Sequence, residues 1–561
     1  MLSLSARAAG LQQRGSEDRI FGDRFLEPTA NKIPDSIRIL NRLTFGATQE
    51  LRAEFNALGN TLEERTQNYV EQQLNPRRID DSVCEGRVQS GQYESLDKSL
   101  RQQWSDYERG TVSGEISSIP LRETEAVKII RTTCSRRQVY ERMVDFWHDH
   151  FNIFGRVRFI QSVFMHFDRD AIRPHALGNF RELVEATAKS TAMLYYLDNH
   201  DSRAGGFNEN YARELIELHT MGAEVYFATD DPSEVPVGSD GRPVGYCDND
   251  VYEAARCLTG WTVANGRSHT PGDTGEFFYY SGWHDQDEKE FLGRAIPPNQ
   301  PPMMDGRVVF DELCSHPATA RQLCRKLIRR FIADEPDPAL VESAAQVWQQ
   351  NWQSRDQIKI VLRHILTAEN LLRASTPKLR RPFEVIIAAL RQTSSPIVPA
   401  ISRESPWGGF YQRLEGTGQR PFRWGPPDGY PDRAIDWMSA SSLGMTWRML
   451  SLLVETGVNS GDPILPIVEP TRQHFPTNQR TARNLVDWWL DRLLGFRPAV
   501  NRYEELLDFM RQNAGPDEPL DLDTRLPSGR IRLGDLSASF VPARLRAMVG
   551  LIYMLPEFQV R

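Results

Sequence analysis

Apolar positions recur at three- and four-residue intervals over most of the 561 residues, the spacing of amphipathic helices packed on one another. Segments 36–45 and 62–73 read as short helices at the N-terminal edge. From 121 to 154 the pattern is longer and more strongly apolar. There Tyr140, Val144, Trp147 and Phe151 follow i, i+4, i+7, i+11, while Met143, Phe146 and His150 occupy an adjoining face. That segment is expected at the centre of the fold. Further helices are expected at 208–222 with a Gly222 stop, and at 249–261 with Asn249 or Asp250 as N-cap. Others are expected at 309–314, 318–332, 338–352, 357–368, 382–392, 481–494 and 541–553. Between 262 and 302 turn clusters flank an aromatic run, Phe277, Phe278, Tyr279, Tyr280 and Trp283. This predicts a long ordered loop packed down on the core, with its polar tip at 265–275 exposed. No βαβ alternation and no internal repeat interrupts the helical texture. The expected fold class is mainly α, a multi-helical globular array with long ordered loops and at most a small β-hairpin. The expected division is an N-terminal extension at 1–35, a helical core at 36–450 and a C-terminal helical region at 451–561 packed on that core.

A hydrophobic fraction of 40% and a charged fraction of 25% place the chain among ordinary globular proteins. The net charge of −8 argues against a dedicated nucleic-acid binder. Only eight of the 67 basic residues are lysine. No window approaches the roughly 18 apolar residues of a membrane span. The N-terminus shows neither an apolar h-region nor a twin arginine before one, so the chain as written is expected to be cytoplasmic, or periplasmic if a leader is missing. Its six cysteines form no C-x-x-C and all read as structural, with Cys257 and Cys324 as buried thiols inside helices.

The segments FWHDHFNIF, RPHALGNFRELVEATAKSTAMLYYLDN, NENYARELIELHTMG, DVYEAARCLTGW, WHD, HPATARQLCRKLIRRF and PPDGYPD occur in that order. Together they resemble the bacterial family catalogued as domain of unknown function 1800, over roughly 37–447. The resemblance implies no particular reaction. It does imply a partner protein, since members are commonly encoded beside a second uncharacterised family, and many members resemble exported proteins. The absence of a recognisable leader here departs from that pattern.

The richest chemistry lies in 208–220. At about 100° per residue, Asn210, Glu214 and Glu217 fall within one arc, beside an apolar stripe of Tyr211, Leu215 and Leu218. Two carboxylates bordering a core stripe suit a metal site or an acid/base pair. A plainer reading pairs Arg213 with Glu217 at i, i+4 and caps the helix with Asn208 or Glu209. His148 and His150 diverge by about 200° on a helix, so one is expected to face the core and the other elsewhere. His284 with Asp285, in the long loop, could supply a ligand and its orienting carboxylate. His175 is expected to serve as a weak cap or anion-binding group. The basic run 321–330 reads as a packed helix whose outer face, Arg325, Lys326 and Arg329, is solvated. No nucleophile elbow, P-loop, dinucleotide fingerprint or H-E-x-x-H appears, so no nucleotide cofactor is expected.

These residues lead to an expectation of a metal-dependent enzyme, oxidation ahead of hydrolysis, with His150, Glu214, Glu217, His284 and Asp285 as ligands of iron, manganese or zinc. Glu214 and Glu217 would double as acid/base groups, and Arg213 and Asn210 would orient them or bind substrate. The alternatives are a non-catalytic scaffold whose buried polar network is structural, and, behind it, a carbohydrate-active enzyme.

Overall fold

The computed structural model describes residues 33–110, 114–374, 377–402, 406–455, 464–515, 517–523 and 540–561. Most of the expected N-terminal extension, and much of the polar segment at 513–535, lie outside the described residues. Helices of eight or more residues are α1 (Asp35–Leu43), α2 (Gln49–Asn56), α3 (Leu62–Gln73), α4 (Ser82–Ser90), α5 (Ile119–Cys134), α6 (Gln138–His150), α7 (Phe180–Lys189), α8 (Glu209–Glu217) and α9 (Asp248–Cys257). They continue as α10 (Met304–Ser315), α11 (Pro317–Phe331), α12 (Pro338–Gln350), α13 (Gln357–Ile365), α14 (Pro382–Gln392), α15 (Pro406–Gly416), α16 (Ala440–Glu455), α17 (Ala482–Leu493), α18 (Val500–Arg511) and α19 (Val541–Met554). The fold is mainly α.

Local chemistry explains several boundaries. Thr61 accepts from the Glu64 amide while the Glu64 carboxylate reaches back to the Thr61 amide, a capping box that starts α3 at the expected residue. The segment expected as one long block at 121–154 is two helices. Asp81 takes both the Ser135 hydroxyl and the Arg136 amide at 2.7 Å, holding Ser135 extended (φ −60°, ψ 139°) between α5 and α6. Helix α9 begins at Asp248 with Cys247 in the cap position, where the Asp250 carboxylate accepts the Cys247 amide at 2.9 Å. Neither Asn249 nor Asp250 is the cap itself.

The aromatic loop contains two antiparallel hairpins where at most one was expected: β1 (Trp261–Asn265) with β2 (Asp273–Tyr279), and β3 (Lys289–Phe291) with β4 (Arg294–Ile296). The second turns on Leu292 and Gly293, both at positive φ, as a two-residue hairpin requires. Phe277 and Tyr279 pack on the core, while Phe278, Tyr280 and Trp283 form a half-buried cluster with His269. Residues 266–268 and 271–273, at the tip, are exposed.

Apolar side chains gather into two large clusters. The first takes in α1–α3 and α6–α13, from Ile39 to Leu371, with Phe422 reaching into it. The second begins at Phe383 and takes in α14–α19, with Phe45 and Ile129 reaching into it. The boundary expected at 450 falls inside α16; the change of core comes near 380 instead. Cys84 of α4 and Cys134 of α5 form a disulfide across 50 residues. Cys247, Cys257, Cys314 and Cys324 are free and buried.

Candidate functional site

The last two turns of α6 send four polar side chains to three places. His148 and His150 are both buried, against the expectation that one would face elsewhere, because α6 is enclosed on every side. His148 Nε2 lies 2.7 Å from Asp168, which also receives Arg173 at 2.8 Å, and Arg173 continues as a fork to both oxygens of Glu141 at 3.0 Å. Asp145 receives Lys128 at 2.5 Å, Arg330 at 2.9 Å and Arg381 at 2.6 Å. Asp149 receives Arg330 at 2.6 Å and Arg381 at 2.7 Å, and Arg330 also reaches Asp432 at 2.9 Å. Burial alone would raise the Asp145 carboxyl, but Lys128, Arg381 and Arg330 hold it far below the usual carboxylate range. Removing one member of such a network strands a buried charge, at a cost of about 3–5 kcal/mol.

The loop Pro426-Pro427-Asp428-Gly429-Tyr430-Pro431-Asp432 seals this end of α6. Asn152 donates to the carbonyls of Trp424 (3.1 Å) and Pro426 (2.7 Å). Gly429 sits at φ +76°, and a Cβ there would lie 1.9 Å from the Asp149 carbonyl oxygen. Only glycine lets the loop come this close.

His150 faces a different group. Its Nε2 lies 3.0 Å from the His219 carbonyl oxygen and its Nδ1 2.8 Å from the Lys326 amine. A carbonyl can only accept, so Nε2 carries the proton and Nδ1 accepts from the lysine. Burial holds His150 neutral well below the usual histidine range, helped by Lys326 and His219. His219 is buried too, its titration pulled down to about 3 by burial and then by Lys326, and its Nε2 has no hydrogen-bond partner among the described residues. Among the described residues Lys326 has no carboxylate within ion-pair distance. Burial brings its amine down to about 8, against the pull of Asp149.

Lys326 was read from the sequence as solvated, and the structure corrects this along with its neighbours. Arg330 is buried among three carboxylates, Arg325 meets Glu224 at 2.6 Å, and Arg329 donates to the Asp334 carbonyl. A signal was present. At about 100° per residue Arg330 lies within about 20° of Leu323, on the apolar stripe, and Lys326 flanks it.

Glu214 and Glu217 lie on α8, whose end delivers His219 to His150. The Leu218 and His219 amides both bond the Glu214 carbonyl, at 2.9 and 3.0 Å, and the chain leaves the helix there. Both carboxyls are half-buried. Burial, then Glu217, then Asp428 raises Glu214 to about 7, against Arg213; burial raises Glu217 as well. Asp428, exposed and held by the Trp424 indole at 2.7 Å, acts on the charges of both Glu214 and Lys326. The Tyr246 hydroxyl, buried and without a partner among the described residues, is within electrostatic reach of both glutamates.

The other expected members sit apart. Arg213 pairs with Asp248 at 3.3 Å and Glu209 at 3.5 Å rather than with Glu217. Asn210 is exposed, and Asn208 caps α8 through the Asn210 amide. His284 is buried between the Thr259 carbonyl at 3.0 Å and Asp305 at 3.1 Å, while Asp285 pairs with Arg256 at 2.9 Å. Neither shares a partner with His150. His175 is half-buried, 3.9 Å from Glu182. Among the described residues no three His, Cys, Asp or Glu side chains converge as metal ligands. The five expected ligands are therefore not drawn together, because His284 and Asp285 are already held by pairs of their own.

Fold and site together define a helical protein with a buried polar junction at the end of its central helix. The chain belongs to the family described as protein of unknown function (DUF1800), whose match spans residues 38–560. No curated protein and no solved structure matches it. No helix among the described residues is long and apolar enough to cross a membrane.

Proposed function

We propose that the protein is an enzyme working by acid–base chemistry where α6, α8 and α11 meet, with the Lys326 amine as proton acceptor and the Glu214 carboxyl as proton donor. The observation that carries this reading is the Lys326 amine, partly buried and paired with an imidazole instead of a carboxylate. A lysine brought down to about 8 and a glutamate brought up to about 7 each exist partly in both protonation states near neutrality, as general acid–base catalysis needs. His150 orients the amine by accepting one of its protons, and the His219 carbonyl fixes the tautomer that lets it do so. Acid–base chemistry takes the place of the metal-dependent expectation, for which the described residues offer no assembled ligand set.

With only eight lysines in the chain, reductive ¹³C-methylation followed by NMR titration tests this directly. Apart from the N-terminal amine, which titrates at about pH 8 in any case, one methyl resonance should titrate near pH 8 and vanish in Lys326→Arg. If every lysine resonance titrates above about 9.5, the site is not an acid–base centre of this kind.

A second reading, a non-catalytic scaffold, is favoured by the closed ion network around Asp145 and Asp149, which is what a register-fixing core contains. As to compartment, the Cys84–Cys134 disulfide favours an oxidising one such as the periplasm. Thiol mapping of the protein from intact cells, with Cys84 and Cys134 both free, would overturn that placement.

A further inference from the structure

Away from α6, a cleft of about 900 Å³ opens between α2, α3, α4, the C-terminal end of α5 and the C-terminal end of α14. Its size is that of small-molecule sites, roughly 300–1,000 Å³. Three polar side chains from three helices line its inner part. Tyr69 of α3 and Thr133 of α5 are each 3% exposed, and neither hydroxyl has a hydrogen-bond partner among the described residues. Arg391 of α14 is 8% exposed and donates to the Gly46, Thr133 and Ser135 carbonyls at 2.9–3.1 Å. Among the described residues no carboxylate lies within ion-pair distance of it. Arg391 and Tyr69 are close enough to act on one another's charge, and burial pulls the guanidinium down to about 10, so it remains cationic at neutral pH. Burying two hydroxyls beside an uncompensated cation is costly unless something accepts from them.

The outer lining is mixed in charge: Glu50, Glu54, Glu71 and Asp80 stand among Arg78, Arg87 and Arg136. Arg136 takes Glu54 at 3.1 Å and Arg363 takes Glu71 at 2.9 Å, while Glu50 is without an ion pair among the described residues. A floor offering one cation and two hydroxyl donors matches one negative charge better than two, and the unpaired Glu50 at the rim adds a place for an amine.

We propose that this cleft is a binding site for a small monocarboxylate, its oxygens taken by Arg391, Tyr69 and Thr133, and that an amine at the far end of the ligand is accommodated by the rim carboxylates. The site is independent of the Lys326 junction. Isothermal titration calorimetry on the full chain tests it with acetate, 5-aminopentanoate and inorganic phosphate as probes. Both carboxylates should bind, 5-aminopentanoate more tightly, and phosphate should bind at least tenfold more weakly. Arg391 is tied into backbone carbonyls, so the variants of choice are Tyr69→Phe and Thr133→Val, which remove only unpartnered hydroxyls and should fold normally. Each should weaken 5-aminopentanoate binding about tenfold, the scale of one hydrogen bond to a charged group. The proposal is overturned if neither carboxylate binds at millimolar concentration, if phosphate binds as tightly, or if both variants bind as the parent does.

Discussion

Replacing Lys326 by methionine should stabilise the protein at neutral pH. The amine falls from 10.5 to about 8 on folding, and each pKa unit is worth about 1.4 kcal/mol. Folding with Lys326 charged therefore costs at most about 3.5 kcal/mol, less after solvent screening of a half-buried group. Methionine removes that cost but also the contact to His150, worth about 1 kcal/mol. The expected net gain at pH 7 is about 1–2 kcal/mol. The sign with pH follows from proton counting. Between about 8 and 10.5 the unfolded chain holds a proton that the folded chain has lost, so the parent gains stability as pH rises through that window. Below it the cost is present in full; above it both states are neutral and the cost is gone. The advantage of Lys326→Met should shrink through the window and reverse by about 1 kcal/mol at its upper end. Urea unfolding of parent and variant at pH 7, 9 and 10.5 measures this. A variant less stable by the same amount at all three values would refute the argument, since it would mean that the lysine folds charged and well paired.

Glu214→Gln should give a matching effect on the acid side. The parent carboxyl, raised to about 7, binds protons more tightly folded than unfolded, so the parent should lose stability relative to the variant as pH rises from about 4.5 to 7; a constant difference across that range would contradict the burial argued for Glu214. Reducing Cys84–Cys134, which closes a loop of 50 residues, should cost about 4 kcal/mol by the chain-entropy relation, read as a drop in urea midpoint with dithiothreitol that the Cys84→Ala/Cys134→Ala variant does not show. His284→Ala should destabilise the protein by about 2–3 kcal/mol, because Asp305 and Thr259 lose a buried partner, while leaving the Lys326 titration unmoved; a displaced titration would place His284 in the site after all. Limited proteolysis should cut near Gly272, in the exposed tip of the first hairpin, before it cuts between Phe278 and Trp283, and the reverse order would show that the aromatic run does not hold the hairpin down.

What could be read from the chain depended on how locally each feature is encoded. The bounds of α3 were legible because Thr61 and Glu64 write its start three residues apart. The break between α5 and α6 was not, because the group that holds Ser135 extended is Asp81, some fifty residues earlier. The two glutamates of α8 were found from spacing alone, but their environment depends on Asp428, two hundred residues further on. Lys326 was misassigned, and the burial of Arg330 went unread, for the same reason. Charge at the end of an amphipathic helix reads as surface, and what makes burial tolerable, His150 for one and Asp145, Asp149 and Asp432 for the other, is supplied by segments brought together only by the fold. The disulfide joins cysteines with no motif between them. Conversely, the helical class needed no tertiary knowledge, since periodicity is itself a record of which face is buried.

The ion network at the end of α6 bears on how such a chain can be divided. Two apolar cores, meeting near residue 380, would ordinarily mark two modules that could be expressed, exchanged or lost separately. Here the seam is electrically closed. Asp145 and Asp149 belong to one side, Arg381 and Asp432 to the other, and Arg330 touches both. A fragment ending before Arg381 would keep two inward-facing aspartates with part of their countercharge gone, and in the complementary fragment Arg381 would lose Asp145 and Asp149, keeping only the longer contacts to Glu384 and Asp432. Neither half is a self-sufficient object, so insertions, truncations and shuffling are expected to be tolerated at the exposed hairpin tip far more readily than at the apparent joint between the cores.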